Sequence, residues 1–138
     1  MRIGTVILAA MLQSGLPLGP LALLSVRGRR SGKVYTTPVA LVEQSGTRWL
    51  VAAFGEVNWV HNLRAAGQAQ LTRGRRVETI GAVEIGALEA APILKQFLKN
   101  FGLVPFIPPY FDVTPQSPLS DFEREALHHP VFRIVRAA

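Results

Sequence analysis

The sequence contains no cysteine and little negative charge. The first shortage excludes cysteine-based sites, and the second bears on the charge of the partner. Without cysteine, its 138 residues cannot form disulfides, zinc–thiolate centres or a catalytic thiol, and the redox compartment stays undecided. Nine acidic residues stand against 15 lysines and arginines, which gives a formal net charge of +6 at pH 7. This balance favours an anionic partner: a nucleic acid, an acidic membrane surface, or a phosphorylated or carboxylated small molecule.

Familiar nucleotide-binding and hydrolase motifs are missing as well. No G-x-G-x-x-G occurs, and Gly28–Lys33 differs from a Walker loop because its glycine spacing is one residue short. Val34 also stands where the magnesium-binding hydroxyl residue should be. Ser31 lacks the flanks of a nucleophile elbow, and no triad order is present. The adjacent His128 and His129 are interpreted as the end of a loop, and no metal site is predicted.

The N-terminal stretch from residue 3 to residue 26 is uncharged but interrupted by glycine and proline. Its intact part, Ile3–Leu12, is shorter than the roughly 20 apolar residues that span a membrane. We expect an apolar helix and a turn over residues 1–20, within a single domain of residues 1–138. Packing of this helix on the domain is the first interpretation; contact with lipid or an apolar substrate is the alternative. The expected location is cytoplasmic, with membrane association left open.

The hydrophobic patterning predicts a mainly β (α+β) fold. Strands rich in β-branched residues, joined by glycine-containing turns, indicate a small antiparallel β-barrel with a few peripheral helices. The predicted strands are Leu21–Arg27, Val34–Val42, Arg48–Phe54, Ala69–Thr72, Arg76–Ile85 and Val131–Val135. The predicted helices are Trp59–Ala66 with Asn58 as N-cap, Ala87–Phe101, and a short helix to Leu127 that a capping box opens at Ser120. The proline-rich segment Leu103–Leu119 is expected to be an irregular wall or lid over a site.

The segment Arg27–Val39 carries the strongest functional signal. Four cations fall within seven residues, two glycines punctuate them, and a β-prone segment follows. Glycine allows backbone N–H groups to approach an anion, and the cations neutralise its charge. This pattern predicts a phosphate-binding loop that enters a strand; a solvated basic turn is the alternative.

Two motifs together resemble a known family. The stretch Gly28-Arg-Arg-Ser-Gly-Lys-x-x-Thr-Thr-Pro38, followed by Asn58-Trp-Val-His-Asn62-Leu-Arg64, resembles the deazaflavin-dependent nitroreductase family. The resemblance runs from about residue 15 to the C-terminus. It implies a split β-barrel that binds coenzyme F420 and transfers a hydride from the reduced deazaflavin to an electron-poor quinone, enone or nitroaromatic compound.

The resemblance also implies a cofactor site in three segments. The residues expected at the phosphate are Arg29, Arg30, Ser31, Gly32 and Lys33. Those expected along the deazaflavin edge are Thr36, Thr37, Pro38 and Val39. Ala53, Phe54 and Gly55 are expected under the ring, flanked by Trp59 and Asn62. Arg64 is similar to a basic family position, whereas Tyr35 departs from the family pattern, in which many relatives have arginine.

No catalytic residue is assigned, because hydride transfer is chemistry of the cofactor. Tyr110 is a candidate proton donor, with packing under the lid as the alternative, and Phe106, Ile107 and Phe111 are expected to shape an apolar acceptor pocket. An FMN- or haem-binding split barrel and a non-catalytic deazaflavin- or lipid-binding protein are the other hypotheses.

The expected partner is a small apolar electron acceptor. Nucleic acid is not expected, because the basic clusters are not interleaved with aromatic residues. A homodimer and a weak membrane contact through the N-terminal segment stay open.

Overall fold

Six strands close on themselves into an antiparallel barrel in the order β1-β2-β3-β6-β5-β4. The computed structural model describes residues 21–101 and 108–137. Its elements are β1 (Leu21–Arg27), β2 (Val34–Gln44), β3 (Thr47–Val51), α1 (Asn58–Ala66), β4 (Gln68–Arg73), β5 (Arg76–Glu84), α2 (Ala87–Phe101), a 3-10 turn (Pro108–Tyr110), α3 (Leu119–Glu125) and β6 (Val131–Arg136). The predicted antiparallel barrel with peripheral helices is confirmed. The helix and turn predicted over residues 1–20, Phe106 and Ile107 lie outside the described residues.

Two hydrophobic cores lie on opposite faces of the barrel wall. Successive side chains of a strand point to opposite faces, so alternate residues fill the interior and cover the outside. The inner core contains Leu24, Val26, Leu41, Leu50, Leu71, Ile80 and Phe132. The outer core contains Val42, Trp49, Val51, Leu94, Phe97, Leu98, Phe111 and Phe122. The second group joins α2 and α3 to the outer surface of β2 and β3.

The helix α1 closes one end of the barrel. Val60 and Leu63 are at most 1% exposed and belong to the inner core. Gly67 ends the helix with φ of 72° and donates its N–H to the carbonyl of Leu63 at 2.8 Å. The left-handed conformation favours glycine there and lets β4 begin at once. Because β1 and β4 are antiparallel, the β1–β2 loop lies at the same end as α1, and the β4–β5 turn lies at the opposite end.

Three boundary predictions are corrected by the structure. The N-cap of α1 is Val57 rather than Asn58. The helix α3 starts at Leu119, with Pro118 as its N-cap, so the predicted capping box at Ser120 is wrong. Neither N-cap residue makes a side-chain hydrogen bond. Pro118 is extended, with φ of −70°, and leads directly into the first helical turn. β3 ends at Val51 instead of Phe54. Within the described ranges, no helix is both long and apolar enough to cross a membrane.

Candidate functional site

The strands β2 and β3 separate at a fork. Their pairing stops at Ala40 opposite Val51, and the N–H of Ala52 then donates to the carbonyl of Pro130 at 2.9 Å. The first half of β2, Val34–Val39, pairs with β1 alone among the described strands. Its other edge therefore carries backbone groups without a partner strand, and unpaired strand edges readily form hydrogen bonds with a ligand.

The opposite side of the fork is Ala53–Gly55, one of the three predicted site segments. Gly55 has φ of 89°, and a Cβ there would lie 3.2 Å from the carbonyl oxygen of His128. Both features favour glycine, because an L side chain strains this backbone and crowds that oxygen. Phe54 is 42% exposed and meets the edge of the Tyr110 ring at 4.8 Å between ring centroids. The segment therefore presents one exposed aromatic side chain beside the fork.

The basic loop at the start of β2 is folded by its own backbone. The N–H of Gly28 donates to the carbonyl of Lys33 at 2.6 Å, and the N–H of Gly32 donates to the carbonyl of Gly28 at 3.1 Å. Gly32 has φ of 74°, which glycine adopts without strain. The hydroxyl of Ser31 accepts a hydrogen bond from the N–H of Lys33 at 3.2 Å. The loop therefore has a defined shape, and the side chains of residues 29–33 are exposed.

This loop is a concentrated positive charge. In the described part of the chain, no carboxylate forms an ion pair with any of its four cations. Arg27 donates to the carbonyl of Gly32 at 3.1 Å, and Arg29 donates to Asn62. Arg30 and Lys33 make no side-chain hydrogen bond to the described residues. These two side chains are the ones available to an anion.

Asn62 connects α1 to the basic loop. Its side chain is 5% exposed, and its Oδ1 accepts hydrogen bonds from the backbone N–H and the guanidinium of Arg29 at 3.1 and 2.8 Å. Trp59, on the same helix, packs on Phe132 at 5.9 Å between ring centroids and on the inner core. The two sequence motifs thus meet in space at one end of the barrel.

Tyr35 covers the basic loop. Its hydroxyl lies 3.1 Å from the hydroxyl of Ser31, and its ring would be 2.6 Å from a Cβ placed on Gly28. The next residue, Thr36, shares a hydrogen bond of 2.8 Å with Ser25 across the β1–β2 pair. Tyr35, the departure from the family pattern, is therefore part of the structure of the loop.

The remaining β2 residues differ in what they present to the fork. Thr36 is exposed, and Thr37 and Pro38 are half-buried. Val39 is 4% exposed with its side chain in the inner core. Val39 can therefore contribute to a surface site only through its backbone, whereas the side chains of Thr36 and Thr37 are accessible.

Arg64 binds two carboxylates. Its guanidinium donates to Glu56 at 2.6 and 2.8 Å and to Glu84 at 2.7 and 2.8 Å. The bonds to Glu84 and Glu56 raise the pKa of Arg64, and the bond from Arg64 lowers the pKa of Glu56. Since four of its five N–H donors are engaged, Arg64 fastens the 52–57 loop to α1 and β5.

Sequence reasoning missed a buried polar group and misplaced one aromatic residue. His129, interpreted as a loop end, is 3% exposed and bonds to the carbonyls of Ala52 and Tyr110. Phe111, expected to line an acceptor pocket, is 8% exposed and packs in the outer core. His129 also lies 3.2 Å from Glu125 Oε1. The four-residue spacing of this pair is a signal present in the sequence, because residues four apart can meet on one side of a helical turn. Tyr110 is 55% exposed beside Phe54.

Comparison with known proteins gives one family and several structures of the same fold. The family model described as F420H(2)-dependent quinone reductase matches residues 8–101, which include all three segments of the candidate site. An F420-H2 dependent reductase (FDR-A) has 22% sequence identity and a TM-score of 0.59, over 83% of this chain and 93% of that chain. A structure described as a domain-swapped dimer has 19% identity and a TM-score of 0.58, over 94% of each chain.

A third structure shares the fold. A FAD-binding protein from Mesorhizobium loti has 13% identity and a TM-score of 0.52, over 94% of this chain and 90% of that chain. Likeness at these identities shows a shared fold. None of the curated proteins compared with the chain matches it.

Proposed function

This chain belongs to the F420H(2)-dependent quinone reductase family, and we propose that it transfers a hydride from reduced coenzyme F420, bound at the β2–β3 fork, to a quinone. The family makes the protein an oxidoreductase that uses coenzyme F420. One observation carries the placement of the cofactor. Four cations that pair with no carboxylate of residues 21–101 or 108–137 stand at the start of an open strand edge, which suits a ligand with an anionic tail and a flat ring.

The basic loop would hold the phosphate of the cofactor. The side chains of Arg30 and Lys33 make no hydrogen bond or ion pair with the part of the chain that the structure describes, and Ser31 and Gly32 lie between them on an exposed turn. The guanidinium of Arg29 would be less free to move toward the phosphate, because it already donates a hydrogen bond to Asn62. A phosphodiester gains most from such charge-assisted hydrogen bonds, each of which contributes about 1.5–3 kcal/mol.

The fork would hold the deazaflavin ring. On one side, the backbone of Thr36, Thr37, Pro38 and Val39 supplies hydrogen-bonding groups. On the other, Ala53, Phe54 and Gly55 supply a mostly apolar surface, with Trp59 and Asn62 at its flank. Bound there, coenzyme F420 supplies the hydride. The protein orients the ring, keeps water from its face and neutralises the tail.

A titration with matched variants tests the loop. Arg30→Ala with Lys33→Ala removes two positive charges at the proposed phosphate site, and Arg73→Ala with Arg75→Ala removes two at the opposite end of the barrel. We expect the first pair to weaken F420 binding by about a hundredfold at low salt and the second by less than about threefold. The effect of the first pair should shrink at high salt, because exposed charges are screened.

The same titration separates the alternatives. FMN measured in parallel should bind more weakly than F420, and oxidation of the reduced F420 should follow addition of a quinone. Tighter binding of FMN would contradict the proposed cofactor placement. Equal losses in the two double variants would show that net charge alone, rather than the loop, governs affinity.

Tyr110 is proposed as a proton donor to the reduced acceptor. Its exposed phenol stands beside Phe54 at the rim of the fork, and a tyrosine at a pocket rim can donate a proton. Tyr110→Phe keeps the ring contact and removes the proton, so it should lower kcat about tenfold or more and leave F420 affinity unchanged. Comparison of quinone, enone and nitroaromatic acceptors by kcat/KM tests the quinone assignment.

The assembly and location of the protein stay predictions. A homodimer is proposed because a structure of the same fold is described as a domain-swapped dimer, and light scattering measures this directly. The single domain over residues 1–138, the cytoplasmic location and the weak membrane contact through residues 1–20 rest on sequence reasoning.

A further inference from the structure

His129 lies between two parts of the fork that are far apart in the chain. Its Nδ1 is 3.0 Å from the carbonyl oxygen of Ala52, and its Nε2 is 2.9 Å from the carbonyl oxygen of Tyr110. The ring of Phe111 stacks on the imidazole at 3.9 Å, with 5° between the two planes. A polar side chain this deeply buried and this fully contacted has one orientation.

The partners of His129 are all acceptors. Carbonyl oxygens accept hydrogen bonds, and a neutral imidazole has a single N–H to donate. Each ring nitrogen of His129 faces one carbonyl. Glu125, 5% exposed, places its Oε1 3.2 Å from Nε2 of His129, so a buried carboxyl group contacts the same ring nitrogen as the carbonyl of Tyr110 does. The same carboxylate oxygen accepts the N–H of Asp112 at 3.3 Å.

These bonds position the two segments that border the fork beside Phe54 and Tyr110, where the acceptor is proposed to bind. Ala52 is the residue before Ala53–Gly55, the segment proposed under the deazaflavin ring. Tyr110 carries the phenol that meets Phe54 at 4.8 Å between ring centroids. Through one imidazole, the end of β3 and the 110–112 segment are held at a set distance from each other.

We infer that His129, paired with Glu125, is a positioning residue that holds the Tyr110 segment against the end of β3 and so shapes the acceptor side of the fork. This inference rests on the proposed function. His129, Glu125 and Tyr110 lie outside the family match, which ends at residue 101. His129 itself is 3% exposed and stacks on Phe111, so we expect it to act through Ala52 and Tyr110.

Steady-state kinetics with a matched pair of variants tests this role. His129→Gln keeps a polar side chain of similar length but can donate to only one of the two carbonyls at a time. His128→Gln makes the same replacement at the exposed neighbour. With a soluble quinone, His129→Gln should raise KM about tenfold and lower kcat about threefold, because Tyr110 is held less firmly, while the Kd of F420 changes less than about twofold. His128→Gln should leave all three values unchanged.

Two results would overturn the inference. One is a folded His129→Gln with KM within about twofold of wild type. The other is weaker F420 binding together with a lower kcat and a higher KM, all by similar factors, which would indicate general damage to the fold. If His129→Gln does not fold, Glu125→Gln decides, because it keeps the shape and replaces the carboxyl group that contacts Nε2 of His129. Glu125→Gln should raise KM about threefold, and an unchanged KM would refute the pairing.

Hydrogen exchange keeps this test separate from the proposed function. The N–H groups of residues 110–112 should exchange faster in His129→Gln than in wild type and His128→Gln, whether or not a quinone is reduced. Wild-type protein that binds no F420 would overturn the proposed function alone. Unchanged exchange at Asp112 would overturn the positioning role even in an active enzyme.

Discussion

The Oδ1 of Asn62 accepts hydrogen bonds from both the backbone N–H and the guanidinium of Arg29, at 3.1 and 2.8 Å. The two residues are 33 positions apart in the chain, and Asn62 is nearly inaccessible to water. One side-chain oxygen therefore fixes the position of the basic loop on α1. This contact explains physically why the two motifs belong together, since the helix supplies the support on which the phosphate loop rests.

Asn62→Ala should weaken the loop and the fold together. It leaves the N–H of Arg29 without its acceptor and creates a small cavity, so we expect a loss of about 2 kcal/mol in the free energy of unfolding and about tenfold in F420 affinity. Denaturant unfolding and an F420 titration measure the two effects. Asn58→Ala is the control, because Asn58 is exposed on the same helix and makes no capping bond. Equal effects of the two substitutions would contradict the support role of Asn62.

Gly28→Ala should act through Tyr35. The added Cβ would overlap the Tyr35 ring, and the half-exposed ring must swing away from its bond to Ser31. We expect a loss of about 1 kcal/mol in stability, which disappears in a Tyr35→Ala background. Gly86→Ala is the matched control, since no atom lies within 4 Å of a Cβ there. A cost that persists without the Tyr35 ring would show that the backbone, rather than the ring, requires glycine.

Glu78 should make stability depend on pH at the far end of the barrel. Arg48 donates to both of its carboxylate oxygens, at 2.5 and 3.1 Å, and this bond lowers the pKa of Glu78 below its usual 4.5. A pKa that is lower in the folded state stabilises the protein at pH values above the pKa of the unfolded state. This stabilisation is lost as the pH falls through the pKa of the folded state. Because Glu78 is one-third exposed, the contribution should be about 0.5–1 kcal/mol.

Unfolding of Glu78→Gln across pH checks this expectation. The variant should be less stable than wild type at about pH 7, and the difference should diminish below about pH 4.5. Glu43 lines the same surface cavity as Arg48 and Glu78 but makes no hydrogen bond to Arg48. The effect of Glu43→Gln on stability should therefore be smaller. A constant difference between wild type and Glu78→Gln down to about pH 2 would contradict the ion-pair origin.

Arg64→Lys should loosen the loop beside the fork. A lysine ammonium cannot reproduce the planar grip on both Glu56 and Glu84, so residues 53–57 should exchange their amide hydrogens faster. We expect F420 affinity to fall about threefold and stability by about 1 kcal/mol. Arg133→Lys serves as control, because Arg133 pairs with Glu89 alone among the described residues. Similar loss of affinity in both variants would argue against a specific role of Arg64.

Local patterns explain which predictions succeeded. α2 has the predicted bounds, Ala87–Phe101, because its apolar residues recur every three or four positions and bury one face. The hairpin strands were predicted because β-branched runs alternate with glycine turns. The two N-cap predictions were wrong because they relied on residue type. Asn58 and Ser120 are common N-cap residue types, but both lie inside their helices. β3 was predicted too long because the carbonyl of Pro130, which captures the N–H of Ala52, is remote in sequence.

The sequence by itself determined the antiparallel barrel, the basic loop and the pairing of two motifs that pointed to a deazaflavin enzyme. The first two are encoded in short stretches, through side-chain alternation, turn residues and local charge, and the third rests on the resemblance of both motifs to one family. Only the tertiary structure decided which cations are unengaged, where β2 leaves an edge open, and that His129 is buried against Ala52 and Tyr110. Those properties depend on partners brought together by folding, and spacing along the chain carries no record of them.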